Sequence, residues 1–119
     1  MDVRSLGRAI PFTTADGSSI RSLLDLSTAP VRNQSLAEAT LVAGGATTRH
    51  YHGASEELYY VVEGSGVIEI DGERATLHPG DAVLIPPGAW HRIEVGRDQT
   101  LRFLCCCSPP YRDDDTYFE

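Results

Sequence analysis

A chain of 119 residues suits one compact domain and leaves no room for a second, and at this size a core forms without disulfides or a structural metal. A net charge of −7 argues against nucleic acid or an anionic membrane as partner, since both need a basic face. All the basic residues are arginine, so Schiff-base chemistry on a lysine is excluded outright.

No apolar run approaches the roughly 20 residues of a membrane span. The start, Met1-Asp2-Val3-Arg4, lacks the basic opening and apolar block of a signal peptide. The three cysteines are consecutive, Cys105-Cys106-Cys107, and neighbours on a strand point to opposite faces. They make no disulfide framework, and a cytoplasmic protein with reduced thiols is expected.

Residues 1–34 show weak periodicity, interrupted by Pro11, Asp16-Gly17 and Pro30. Within them Ile20–Leu26 reads as a short helix or an edge strand. From Ser35 the chain reads as strand and turn. Strands are expected over Leu36–Ala43, ending at Gly44-Gly45, then over Thr47–His52 and Glu57–Glu63, the last rich in strong strand formers. Val67–Ile70 runs into Asp71-Gly72 and out through Glu73 to Leu77, and Asp-Gly between two such runs is a hairpin signal. Asp81–Ile85, His91–Val95 and Leu101–Cys107 follow, separated by Pro79-Gly80 and Pro86-Pro87-Gly88. Ser108-Pro109-Pro110 stops the last strand and an acidic tail follows. Short strands with turn signals every 8–12 residues or so predict an all-β sandwich or barrel.

His50 and His52 are two apart. On a strand both lie on one face, about 6.6 Å apart along the backbone, from where two imidazoles can converge on one ion. Glu57 opens the next strand after a short turn, and a barrel can bring His91 in from another wall. Gly44, then five residues, His50-Tyr51-His52, four residues, Glu57, six residues and Gly64 resembles the first motif of the cupin superfamily. Gly80, five residues, Pro86-Pro87-Gly88, two residues and His91 resembles the second, and the interval between them is short, as in small single-domain microbial members. The resemblance covers roughly residues 36–107. One departure is Val95, where the second motif commonly has Asn, a residue that is not a ligand.

The resemblance implies a double-stranded β-helix, a jelly-roll barrel with metal in one mouth, and His50, His52, Glu57 and His91 as ligands. Glu56 competes for the carboxylate position. It fails on the spacing to Gly64 and on strand alternation, which puts Glu56 and Glu57 on opposite faces. Residues 1–34 are then an N-terminal arm of edge strands, placed by the resemblance at a homodimer interface. Residues 35–110 form the barrel, and 111–119 a short acidic tail.

Three imidazoles and a carboxylate suit one divalent transition metal ion (Fe, Mn, Ni, Co or Zn) and leave open positions, which leans towards chemistry. The resemblance implies a metal-dependent enzyme acting on a small oxygenated molecule. It would be dioxygenase-like with a redox ion, or an isomerase, lyase or cyclase with zinc. Thiol dioxygenases fit less well, because they typically lack the metal-binding Glu. The alternative is a non-catalytic small-molecule or sugar-binding module. Alternation turns Tyr59 inward with Glu57, as a packing residue or as a donor to substrate alongside Glu57 in a catalytic role. Val83 and Ile85 or their neighbours are expected to pave the floor of a mostly apolar cavity. Trp90, Arg49, Tyr51 and Arg102 are expected outside and His78 in solvent. One cysteine face points inward as small buried hydrophobes.

Overall fold

The computed structural model describes residues 1–119 and contains eleven strands in two facing antiparallel sheets, a jelly-roll barrel. The strands are β1 (Phe12–Thr13), β2 (Ser19–Leu24), β3 (Ser35–Leu41), β4 (His50–His52), β5 (Glu56–Glu63) and β6 (Gly66–Ile70). They continue as β7 (Glu73–Leu77), β8 (Ala82–Ile85), β9 (His91–Val95), β10 (Leu101–Ser108) and β11 (Thr116–Phe118). One sheet runs β1-β2-β3-β10-β5-β8 and the other β11-β4-β9-β6-β7. No helix is long and apolar enough to cross a membrane.

The barrel strands fall where the sequence pattern puts them. Asp71 and Gly72 both have positive φ, 47° and 87°, which suits the two-residue turn joining β6 to β7 in register Ile70 to Glu73. Two segments differ from expectation. Ile20–Leu26, open between helix and edge strand, lies largely in β2, which is not an edge, because the two-residue β1 lies outside it. Residues 111–119, read as a tail, form a 3-10 turn at Asp113–Asp115 and then β11, which pairs with β4.

Strand alternation sorts the barrel lengthwise. On β9 the inward residues are His91, Ile93 and Val95; on β5 they are Glu57, Tyr59 and Val61. On β10 Leu101, Phe103 and Cys107 are buried, with Cys107 opposite Glu57 and Phe103 opposite Val61. Each strand thus carries polar or reactive groups at one end and pure hydrocarbon at the other. The hydrocarbon end belongs to a continuous core of twelve buried residues that includes Leu41, Val61, Ile93 and Leu101 and reaches the open end through Ala39, Tyr59 and Phe103. Full burial of each such large side chain contributes about 1.5–3 kcal/mol, so the closed end stabilises the barrel and leaves the other end free for chemistry. Val95, the departure from the motif, is one of these core residues.

The N-terminal arm is fastened on the outer face. Glu38 on β3 is buried there, clamped by Arg21 of β2 at 2.6 Å and Arg102 of β10 at 2.8 Å.

Candidate metal centre

β4 and β9 pair through one register match, His50 opposite His91, and alternation adds His52 to the same inner face. A backbone bond from Gly88 N–H to the His52 carbonyl (2.7 Å) ties the Pro-Pro-Gly loop to β4 and fixes where β9 begins. The three histidines are buried, and each offers a ring nitrogen such that these atoms all lie within 4.8 Å of one another. Glu57 enters from the opposite sheet. Its Oε1 lies 3.1 Å from His52 Nε2 and 3.4 Å from His91 Nε2. Glu56, the competing carboxylate, is exposed on the other face of β5.

The other ring nitrogens settle the tautomers. His50 Nδ1 faces the Thr48 carbonyl at 2.7 Å and His91 Nδ1 faces the Ala89 carbonyl at 3.0 Å. A carbonyl only accepts, so both Nδ1 atoms carry hydrogen. His52 Nδ1 lies 3.0 Å from Thr116 Oγ1, whose own hydrogen goes to the Arg112 carbonyl, also at 3.0 Å. Thr116 therefore accepts, and His52 Nδ1 donates. All three Nε2 lone pairs are then left free, and those of His52 and His91 face an ionised carboxylate oxygen: acceptors meeting acceptors.

That arrangement is unfavourable by itself and favourable around a cation, and His91 Nε2 is buried with no hydrogen-bond partner. The residues present therefore fit a divalent ion, with their outer nitrogens anchored as metal-ligating histidines usually are. The electrostatics agree. Burial and the neighbouring imidazoles hold His50 below its usual range, in the neutral form a metal needs. Burial alone would raise the Glu57 carboxyl; hydrogen bonding and positive charge from protonated His52 and His91 outweigh it and hold it down at about 2, a role that passes to the cation when the imidazoles are neutral and turn bare Nε2 atoms to the site.

The site opens on a cavity of about 1050 Å³. Tyr59 lines it, with its ring 4.6 Å from Phe103 and 6.1 Å from His91. Burial, then the nearby Glu57 charge, raises the Tyr59 phenol well above its usual range, so it stays protonated. Cys105 and Cys107 share this inner face, and the Cys107 thiol donates to Glu57 Oε2 at 3.3 Å. They are more than inert filler: one of them touches a candidate ligand. Val83 and Ile85 do not pave the cavity; Ile20, Ala37, Ala39 and Phe103 do. β8 is the far edge of its sheet from β2 and β3, which supply three of those four residues.

Outside the wall, Arg49, Tyr51, Trp90 and Tyr117 form a separate cluster. Tyr51 stacks on Tyr117 at 4.9 Å, and the Arg49 guanidinium sits 5.3 Å from the Trp90 ring. His78 is exposed. Sequence reasoning missed β11 and with it Thr116 and Asp115, whose carboxylate accepts from the Ala54 and Ser55 amides and holds the turn between β4 and β5. The signal was present but short: Thr116-Tyr117-Phe118 is one β-branched residue and two aromatics.

Comparison with known proteins agrees with this fold. A family model described as a cupin domain matches residues 37–107. An uncharacterized protein of Methanocaldococcus jannaschii is 43% identical over 106 residues, which cover 89% of this chain and 85% of that one. The tetracenomycin polyketide synthase protein TcmJ of Streptomyces glaucescens is 36% identical over 93 residues, 78% of this chain but only 62% of that relative's length. Among solved structures, the polyketide cyclase RemF from Streptomyces resistomycificus matches with a TM-score of 0.80 at 26% identity, covering 97% of this chain and 89% of that one.

Proposed function

The chain belongs to the cupin domain family, and on that premise we propose that it is a metal-dependent enzyme acting on a small oxygenated organic molecule. The observation that carries this reading is the free Nε2 of His91, set with those of His50 and His52 and the Glu57 carboxylate, the last three of these residues lining an open cavity. A divalent ion held by His50, His52, Glu57 and His91 would polarise a substrate oxygen as a Lewis acid, or handle dioxygen if it is redox-active.

The protein's own groups have distinct parts. Glu57 stays ionised and offsets the ion's charge. Tyr59, a neutral phenol on the cavity wall, donates a hydrogen bond or a proton to the substrate oxygen as charge develops there. The core beneath the site keeps water to one side of the bound molecule. Similarity over nearly the whole chain to the polyketide cyclase RemF favours a ring-closing or isomerising reaction. We also read the protein as a homodimer joined through its N-terminal arm, where Val3, Ile10 and Phe12 are exposed; light scattering tests this.

Metal content of tag-free protein, with His52→Ala as control, tests the centre. About one Zn, Fe, Mn, Ni or Co per chain, lost in the control, supports it, and none in either protein sinks it. Glu57→Gln should then abolish turnover of a substrate found by screening while its binding persists. Untouched turnover would favour a binding module instead.

A further inference from the structure

The cavity walls carry information about the ligand that the metal ligands do not. Its inner lining is hydrocarbon, aromatic and thiol, from Ile20, Ala37, Ala39, Tyr59, Phe103 and Cys105. Towards solvent it is acidic: Asp16, Asp25, Asp113 and Asp114 line it. The only basic side chain in the lining besides the site histidines is Arg112, and Asp114 already holds its guanidinium at 2.9 and 3.3 Å. The Asp16 carboxylate is fixed by the Ser18 amide at 2.9 Å and the Ser18 hydroxyl at 2.6 Å, and remains a negative charge facing any ligand.

A carboxylate or phosphate entering this cavity meets the unpaired carboxylates of Asp16, Asp25 and Asp113 and finds no free cation on the walls, since Arg112 and Asp114 neutralise each other. Burying an anion without a partner is costly, and like-charge contact adds to the cost. A flat ring meets the aromatic and small apolar surface it packs against, and the volume exceeds what a simple organic acid would fill.

We propose that the cavity takes an uncharged, flat, oxygen-bearing ring molecule and turns away carboxylates and phosphates. This rests on the metal-dependent reading for the orientation of the ligand, but the discrimination itself lies in the walls.

The test is a matched pair, 2,3-dihydroxynaphthalene and 6,7-dihydroxy-2-naphthoate, titrated calorimetrically into zinc-loaded protein. The uncharged diol should bind at least about tenfold more tightly, a preference of ~1.4 kcal/mol. The double variant Asp25→Asn/Asp113→Asn, its fold checked by circular dichroism, should narrow that gap, as should added salt. Equal or tighter binding of the naphthoate overturns the proposal, as does binding of neither compound. The pair is titrated again into chelator-treated protein, where the walls act alone and the same ranking is expected. The proposal is thus judged even if zinc is never taken up, an outcome that would sink only the metal reading.

Discussion

Replacing Thr116 by valine isolates the contact that joins β11 to the metal centre. The shape of the side chain and its β-branching are kept, so the pairing of β11 with β4 survives; what goes is the acceptor for His52 Nδ1–H, 3.0 Å away. His52 is buried, so its orphaned N–H loses solvation that water cannot restore, at a cost of about 1–3 kcal/mol. The ring can recover by shifting its proton to Nε2, but that removes the lone pair aimed at the ion. Loss of such an outer contact typically weakens metal binding about 10–100-fold, or ~1.4–2.7 kcal/mol. Competition with a chromophoric chelator, using zinc or cobalt on metal-free protein, measures the change. Thr116→Ser keeps the hydroxyl and should restore most of the affinity. Unchanged affinity in the valine variant of a folded protein would mean that His52 does not bind through Nε2, and the tautomer argument would fail.

Two further outcomes follow from the geometry. Gly64→Ala should destabilise the barrel by about 2 kcal/mol or more in urea unfolding, because its φ is +74° and a Cβ there would lie 2.1 Å from the Thr100 carbonyl oxygen. Gly72→Ala, strained by a φ of +87° but in open space, should cost only about 1–2 kcal/mol, and equal losses would refute the clash. The thiols should be slow: burial first, then the Glu57 charge, raises Cys105, Cys106 and Cys107 above the usual thiol range. A raised value means the thiol form persists at pH 8, so disulfide reagents should label the folded chain far more slowly than the unfolded one. Rapid labelling of the native protein would contradict that.

The barrel strands were legible from local pattern, and the convergence of the site from that pattern together with its resemblance to the two cupin motifs. Two residues of spacing put His50 and His52 on one face; the spacing to Gly64 in the cupin-like motif, together with alternation, chose Glu57 over Glu56, and alternation turned Tyr59 inward with it. The same rule placed Cys105 and Cys107 beside Phe103. What could not be read was pairing between distant segments. β11 is three residues long and follows three aspartates that look solvated; its strand character comes from β4, far away in sequence. β2 was ambiguous because all its residues are half-buried: its outer face carries Arg21 over Glu38 while Ile20 and Ser22 face the cavity, which erases the alternation. The cavity floor was misassigned for a similar reason. The partners of β5 were readable as strands, but not which sheet edge they occupied.

The single tryptophan stands one residue before His91 yet on the opposite side of the wall, edge-on to Tyr51 at 4.7 Å and beneath Arg49. The protein therefore carries an optical reporter behind the site rather than in it. A molecule in the cavity cannot stack on this indole, so a shift in its emission maximum on adding a non-absorbing ion such as zinc records a change in the β4–β9 wall rather than contact.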